Sequence, residues 1–492
     1  MAASRSSGRS TAALQWPIGV ALQYPGSDAF ENATKRWSIY KAPTFGSSIS
    51  PIDEEQVAGI VKVAAANKIP FLATSGRHGY GTSLGKLQNG LSIDLGNMKT
   101  LEIDTDAQTV TVGPGVKNGD LANHILDAGY QMPVGSCAEA SVIGTTLGGG
   151  IGLFQGLFGL MIDALVSIRL VTANGDVVEV SASENSELFF GIRGAGANFG
   201  IITSATYKLF KPVNGGQVFT ADIVYPENMR SDYFNALKTY EDTMPAELAM
   251  NTTINWNADS NQTQIIGTFV YSGSEAQAMQ VLAPFFDLDP PVIRKSVVPF
   301  SQVPHVILFG MIAAMSELGN IHGIWTANVR RFAVDSFNSA FEKYDTFYKA
   351  NPYGRMCAGV FEMFSNQAVA ISGQNTSYPW RDCKGNFMFQ MAWPELGNQV
   401  EQPASDLARS LREDFAATSG YPDLSVYVSY AHGDERLERI YGDSLPRLVA
   451  LKKQWDPENI FRYSNGLPTE LLPSSSDQGS RDGGILNNDM VG

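Results

Sequence analysis

The sequence predicts an α+β protein built from two lobes, and two patterns along the chain support this prediction. Between about residues 50 and 210, short strand patterns alternate with helical patterns. From about residue 212 the strand patterns become longer, and amphipathic helices separate them. With 492 residues, 44% of them apolar, the chain can bury a large core and divide into two such lobes.

The individual elements follow from the periodicity of the apolar residues. In the first lobe we expect helices at 54–67 and 119–128, and strands at 69–74, 91–95, 109–113, 165–172, 177–181 and 200–210. In the second lobe, two stripes at helical spacing predict core-facing helices. The stripes consist of Val334, Phe337, Phe341, Tyr344 and Tyr348, and of Leu407, Leu411 and Phe415. The apolar run 306–315 is predicted to be buried core.

These patterns divide the chain into four segments. Residues 1–211 form the first lobe and residues 212–424 the second. Residues 425–470 are too few for a third domain, so they are expected to fold back on the first lobe. Residues 471–492 are rich in Ser, Gly and Asp, and we expect a disordered tail there.

Charge and cysteine content exclude several classes of function. The chain has 35 basic and 49 acidic residues, a net charge of −14, which argues against nucleic acid or an anionic membrane as partner. No uncharged apolar run approaches the roughly 20 residues of a membrane helix. Three cysteines make no disulfide framework, and no Cys/His spacing is typical of a metal site.

The cellular compartment stays open at this stage. The first residues lack the continuous apolar stretch of a secretory signal. Four N-x-S/T sequons, however, would suit a secreted chain. They begin at Asn32, Asn251, Asn261 and Asn375.

Two glycine-rich loops carry the chemistry. The loop 74–83 (TSGRHGYGTS) follows a strand, and its small residues offer N–H groups that can surround a pyrophosphate. A single histidine is usually structural, but His78 lies inside this loop and therefore beside its ligand. A second loop, 133–152, is equally dense in glycine. Segment 191–203 has the spacing G-x-G-x-x-x-G and precedes a strand, so it does not fit a Rossmann fingerprint.

These segments resemble the FAD domain of the vanillyl-alcohol-oxidase superfamily, and within it the berberine-bridge-enzyme-like branch with its fungal secondary-metabolism members. The R/S-G-G-H loop of that family matches 75–78, with Arg77 at a position where glycine is usual. Its P-x-G-x-C…G-G-G-x-G loop matches 133–152, and its R-G-x-G-x-N-F-G segment matches 193–200. Its C-terminal Y-G…R-L…D-P-x-N-x-F signature matches 441–461. The motifs span nearly the whole chain.

The resemblance implies a PCMH-type FAD-binding domain and a substrate domain made of an antiparallel sheet with helices on one face. It also implies that the FAD is attached covalently through His78, which raises the reduction potential of the flavin. The cofactor contacts carried over by position are Ser75, Gly76, Arg77 and Gly79 at the pyrophosphate, Gly144, Thr145 and Gly149 in the second loop, Gly200 and Ile202 along the adenosine, and Tyr463 and Asn465 near the ring.

The resemblance leaves two site roles open. Some relatives bond a cysteine at the position of Cys137 to the flavin, which would make the attachment bicovalent, and others keep the cysteine unbonded. Tyr430 takes the place of a tyrosine that faces the flavin. It is either the catalytic base, which would need a nearby cation such as Arg77 to lower its pKa, or a ring that packs on the flavin. Asp163 is expected to position a loop.

The implied function is an FAD-dependent oxidase that removes a hydride from a small organic substrate, with O₂ as acceptor and H₂O₂ as product. The substrate would be an alcohol, a sugar or a natural-product intermediate, including one that undergoes oxidative cyclisation. Ala140 stands at the oxygen gate of the relatives, where a small residue favours an oxidase. The alternatives are a flavin-bound cyclase of redox-neutral chemistry and a flavin-binding protein without catalysis. We expect a monomer.

Overall fold

The computed structural model describes residues 14–372 and 375–471. Within those ranges no helix combines the length and hydropathy that a membrane crossing requires. The predicted disordered tail, apart from its first residue, lies outside the described residues.

The first lobe contains two small sheets. Its helices are α1 (Asp28–Thr34), α2 (Glu54–Ala66), α3 (Asn118–Asp127), α4 (Val142–Thr146), α5 (Gln155–Phe158), α6 (Met161–Ala164) and α7 (Ser186–Ala195). Its strands are β1 (Phe45–Ile49), β2 (Phe71–Thr74), β3 (Gly90–Asp94), β4 (Leu101–Asp104), β5 (Thr109–Val112), β6 (Leu165–Val171), β7 (Val177–Ser181) and β8 (Ile201–Lys208). Strands β1-β3-β2 form a parallel sheet, and β4-β5-β8-β6-β7 form an antiparallel one. The loop 74–83 follows β2, and the second glycine-rich loop, 133–152, follows α3 and contains α4.

The second lobe is one seven-stranded antiparallel sheet with helices. Its strands are β9 (Gln217–Pro226), β10 (Leu248–Asn257), β11 (Gln262–Tyr271), β12 (Val292–Pro299), β13 (Gly323–Val329), β14 (Ala358–Phe364) and β15 (Gly385–Met391), in the order β12-β9-β11-β10-β14-β15-β13. Its helices are α8 (Arg230–Lys238), α9 (Glu275–Val281), α10 (Ala283–Phe286), α11 (Val303–Val306), α12 (Ile312–Met315), α13 (Val334–Ala350), α14 (Gln367–Ile371) and α15 (Glu401–Thr418).

Helices α8, α13 and α15 cover one face of this sheet. The predicted stripe on α13 is buried, and Phe337 packs on Phe361 of β14 and Phe415 of α15. Alternate residues of a strand point to opposite faces. Thr252 of β10 bonds Tyr233 of α8 on the helical face, so its neighbours along the strand point to the other face, which is free to form a site. The predicted fold class is confirmed.

The apolar run 306–315 is not buried core, which corrects the prediction. Leu308 and Phe309 have φ of 53° and 57°, and Met311 is 40% exposed. The carboxylate of Asp222, on β9, accepts hydrogen bonds of 2.8 Å from the backbone N–H groups of Leu308 and Phe309. This carboxylate satisfies the backbone of an irregular segment, which lies over a cavity instead of inside a core.

The C-terminal segment contacts the first lobe through a buried lysine, which also forms an ion pair within the segment. It contains α16 (Leu437–Tyr441) and α17 (Leu445–Trp455). Lys452, fully buried on α17, donates to Asp456 at 2.6 Å and to the carbonyl of Asn198 at 2.8 Å. Because both charges have partners, their burial fixes where this segment lies.

Candidate active site

A cavity of about 1180 Å³ is bounded by both lobes and by the C-terminal segment. The loop 74–83 and the second glycine-rich loop form one wall. The free face of the seven-stranded sheet forms the floor, and the segment 308–322 forms the roof. Cavities of this size, with apolar walls and a few polar groups, are typical of cofactor and substrate sites.

The two glycine-rich loops touch backbone to backbone. A Cβ atom on Gly76 would lie 2.6 Å from the backbone nitrogen of Ser141, so no other residue fits there without movement. Arg77 has φ of 60°, the left-handed region that favours glycine. That geometry explains why glycine is usual at this position in the family that the sequence resembles. The loops therefore form a narrow cradle of backbone N–H groups.

The cradle fits the pyrophosphate of FAD. Arg36 lines the cavity and is 6% exposed, yet its Nε and Nη1 have no hydrogen-bond partner among the described residues. Its Nη2 donates to the carbonyl of Gly79 at 2.7 Å. Burial, and secondarily Arg77, lower the pKa of Arg36 to about 10. A buried guanidinium without an acidic partner is costly, and an anionic ligand would offset that cost.

His78 lines the same cavity beside a stack of rings. Its imidazole lies 5.9 Å from the indole of Trp37, and the same indole stacks on His322 at 4.0 Å. Burial lowers the pKa of His78 to about 4; the charge of Glu139 opposes this, and nearby basic groups add to it. The imidazole is therefore neutral at pH 7, which is the form that can act as a nucleophile.

Cys137 and Ala140 lie on the second loop and also line the cavity. The Cys137 thiol is half-buried and lies 3.6 Å from the hydroxyl of Ser316, in the roof segment. The Ala140 carbonyl accepts a hydrogen bond of 2.9 Å from the N–H of Asn118. Both residues predicted to face the flavin are thus on one wall with His78.

The other predicted cofactor residues line the cavity with one exception. Those on its walls are Ser75, Gly76, Arg77, Gly79, Gly144, Thr145, Gly200, Ile202, Tyr463 and Asn465. Gly149 is not among the lining residues. A Cβ on Gly149 would lie 3.0 Å from the ring of Tyr378 and 3.4 Å from that of Tyr427, so this glycine serves packing behind the wall.

The cavity contains one buried acid that sequence reasoning missed. The phenol of Tyr430 donates a hydrogen bond of 2.9 Å to Oε2 of Glu362, which is 6% exposed on β14. Burial raises the pKa of Glu362 to about 7, although the bond from Tyr430 opposes this shift. Burial, followed by the charge of Glu362, raises the pKa of Tyr430 well above its usual value. The sequence does contain a signal for this acid, because Glu362 is the one charged residue in the otherwise apolar strand AGVFEMF.

This pair changes the interpretation of Tyr430. The expected activating cation is not its partner, because the Arg77 guanidinium bonds the carbonyl of Asn32 and the phenol faces a carboxylate. Of the two groups, Glu362 loses its proton first as the pH rises. The phenol of Tyr430 is therefore hydrogen-bonded to a carboxyl group that ionises near neutral pH.

Comparisons with known proteins show which family the chain belongs to. Residues 48–181 match the family described as "FAD binding domain", and residues 426–468 match "Berberine and berberine like". The chain is 44% identical over 454 residues to the FAD-linked oxidoreductase OXR1 of Pyricularia oryzae, covering 91% of this chain and 89% of that protein. It is 43% identical to srdI of Neurospora crassa, covering 91% and 90%. The chain belongs to the berberine-like FAD-linked oxidoreductases.

Solved structures share the fold at lower identity. Physcomitrella patens BBE-like 1 superposes with a TM-score of 0.81 at 21% identity, covering 92% of this chain and 98% of that one. The xylooligosaccharide oxidase of Myceliophthora thermophila gives a TM-score of 0.78 at 23% identity, with the same coverage. This berberine-like protein is thus an FAD-binding oxidoreductase, as the sequence predicted, and its cavity has the residues to hold FAD.

Proposed function

We propose that this berberine-like oxidoreductase is an oxidase that converts an alcohol of a small organic substrate to a carbonyl. The observation that supports it is the Tyr430–Glu362 pair, a buried proton acceptor on the cavity wall. FAD, when bound, accepts the hydride from the carbinol carbon and passes the two electrons to O₂, which gives H₂O₂.

The protein residues manage the hydroxyl proton. Tyr430 accepts the proton of the substrate hydroxyl as its own phenol proton moves to Glu362, so the substrate oxygen gains the electron pair needed to form the carbonyl. A base acts best when its pKa lies near the working pH, and the pKa of Glu362 is about 7. The phenol alone, with its raised pKa, would be a poor acceptor.

The loops hold the cofactor in this proposal. His78 is neutral, is exposed to the cavity and carries the covalent bond, while Arg36 and the 75–79 backbone hold the pyrophosphate. Cys137, on the same wall, either adds a second bond or stays a free thiol. Residues 212–424 then supply the substrate side of the site.

The test is stoichiometry. An oxidase releases one H₂O₂ and one carbonyl for each alcohol consumed, and the flavin bleaches when substrate is added without oxygen. Product formation without H₂O₂ or bleaching would replace this proposal with the flavin-bound cyclase. Bound FAD without any product from a broad panel of alcohols would favour a protein without catalysis.

A further inference from the structure

The cavity floor has a regular pattern of polar and apolar side chains. Residues directly opposite each other on antiparallel strands point to the same face, so they form rows across the sheet. One row holds Glu362, and it consists of Asp222, Thr268, Asn251, Glu362, Asn386 and Asn328. Each member is polar. This row includes the proton acceptor and marks the reactive end of the cavity.

The next row along the strands is apolar toward the cavity. It consists of Ile266, Thr253, Val360, Met388 and Thr326. The hydroxyl of Thr253 already donates to Asn251 at 3.3 Å, and that of Thr326 donates to the carbonyl of Phe387 at 2.7 Å. Neither hydroxyl has its proton available for a ligand, so this band offers methyl and thioether groups.

The third row brings two amide side chains, Gln390 and Asn255, to the cavity among apolar neighbours. Gln390 lies opposite Ala358 and Ile324, and Asn255 belongs to this row by the same register. The Gln390 amide nitrogen lies 3.2 Å from Nδ1 of His322. An amide nitrogen carries two hydrogens, so its second N–H, which bonds no described residue, can donate to an oxygen of a ligand. The oxygen of Asn255 accepts from Gln264 at 3.3 Å, which leaves its amide N–H groups without a partner in the described chain.

The first half of the roof, residues 308–315, is apolar, whereas Ser316, Asn320 and His322 line the cavity from its second half. Residues 308–315 read LFGMIAAM and contain no polar side chain. Leu308, Met311, Ile312 and Met315 line the cavity. Methionine side chains adapt to irregular apolar shapes. A sugar, with hydroxyls along its whole length, would leave several of them without partners between the roof and the middle row, which is unfavourable.

We infer that the substrate is an elongated, mainly apolar alcohol that carries a second oxygen function at its far end, bound by Gln390 and Asn255. Glu362 and Ala358 are four residues apart on β14, so the two polar ends are about 13 Å apart at the usual rise of a strand. This inference rests on the proposed function for its reactive end. The far-end subsite is independent of any redox step.

The experiment uses the FAD-loaded protein and two sets of probes. One set is para-alkylbenzyl alcohols whose chain ends in a methyl ketone, in a series of lengths, and the other is the same alcohols ending in a methyl group. Anaerobic bleaching of the flavin, followed against probe concentration, gives the apparent Kd. We expect the keto probe of matching length to bind about tenfold more tightly, because two hydrogen bonds contribute about threefold each.

Three variants locate the effect. Gln390→Leu and Asn255→Leu should each reduce the preference for the ketone to about threefold or less, because each removes one of two partners. Met388→Leu, in the middle row, should keep the preference and is the matched control. An unchanged preference in both polar variants, or tighter binding of xylobiose than of every keto probe, would overturn the inference.

Calorimetry separates this inference from the proposed function. The same probes are titrated without oxygen into the Glu362→Gln protein, in which flavin reduction is strongly slowed and cannot repeat. A ketone preference that depends on Gln390 supports the subsite even if no probe ever bleaches the flavin, a result that would refute only the oxidase proposal. Bleaching with no ketone preference would refute only the subsite.

Discussion

The phenol of Tyr430 and the carboxylate of Glu362 share one hydrogen bond of 2.9 Å, and they come from different parts of the chain. Glu362 belongs to a central strand of the substrate sheet, while Tyr430 lies in the segment that returns to the first lobe. The sheet therefore sets the position of the Glu362 carboxyl group, and the C-terminal segment brings the Tyr430 phenol into hydrogen-bonding contact with it.

This pair predicts the pH dependence of flavin reduction. Glu362 accepts a proton only when ionised, so the anaerobic reduction rate should rise with pH through about 7. Glu362→Gln should remove this limb and slow reduction by about 10²–10⁴-fold. Tyr430→Phe removes a bond that lowers the pKa of Glu362, so the remaining limb should move to higher pH. Stopped-flow measurements of flavin reduction between pH 5 and 9 give the pH profiles of wild type, Glu362→Gln and Tyr430→Phe. If Glu362→Gln has the same profile as wild type, Glu362 is not the proton acceptor.

The same carboxyl should reduce stability as the pH rises. Its folded pKa is raised above the unfolded value of 4.5, so its stabilising effect is present below pH 4.5 and is lost by the time the pH passes 7. The full effect is roughly 3 kcal/mol, at about 1.4 kcal/mol for each pH unit. Denaturation of wild type and Glu362→Gln at pH 5 and pH 8 should show the wild type losing most of this amount relative to the variant.

The comparison with the variant is needed because buried histidines act in the opposite direction. His78, His322 and His432 have pKa values lowered by burial to about 4, so each adds stability as the pH rises from 4 to about 6.5. These contributions are the same in both proteins and cancel in the difference. Parallel curves for wild type and variant would show that Glu362 does not titrate in this range.

Covalent attachment can be tested by acid precipitation. If His78 bonds the FAD, the wild-type precipitate stays yellow. His78→Ala should bind FAD without the histidyl bond and oxidise substrate more slowly, because the lost bond lowers the flavin potential. Cys137→Ala serves as the control. A yellow His78→Ala precipitate would demonstrate a Cys137 bond, whereas complete release of flavin from wild type would refute both bonds.

A buried ion pair should hold the two lobes together. Arg381 donates two hydrogen bonds to Asp163, of 2.8 and 3.0 Å, and their side chains are only 15% and 6% exposed. Arg381→Met leaves a buried carboxylate unpaired, so the free energy of unfolding should fall by about 3–5 kcal/mol. The exposed pair Arg409–Asp406 is the matched control, and Arg409→Met should change it by at most about 1 kcal/mol. If Arg381→Met and Arg409→Met lower the free energy of unfolding in urea equally, the Arg381–Asp163 pair does not hold the lobes together.

The sequence predicted what depends on local pattern. The helical stripe on α13 and the glycine loop around His78 were predictable because periodicity and backbone crowding leave direct marks. The partner of Tyr430 was not, since Glu362 is 68 residues away and only strand register brings it to the phenol. The run 306–315 was predicted wrongly because apolar composition does not distinguish a core from the roof of an apolar cavity. Gly149 was predicted to contact the cofactor, but it does not line the cavity, and its lack of a Cβ makes room for the ring of Tyr378.

Ala140 provides the test of oxygen reactivity. Reduced flavin reacts quickly with O₂ only if the gas reaches it, and Ala140 lines the cavity with a single methyl group on the wall that carries Cys137. Ala140→Leu should slow reoxidation by air about tenfold or more, a barrier increase of about 1.4 kcal/mol, and should leave anaerobic reduction nearly unchanged. Ala314→Leu, which adds the same bulk in the roof, should leave reoxidation unchanged and is the control. Stopped flow separates the two half-reactions. If Ala140→Leu slows both equally, the residue shapes the substrate pocket; if reoxidation is unaffected, the case for an oxidase loses its support from this position.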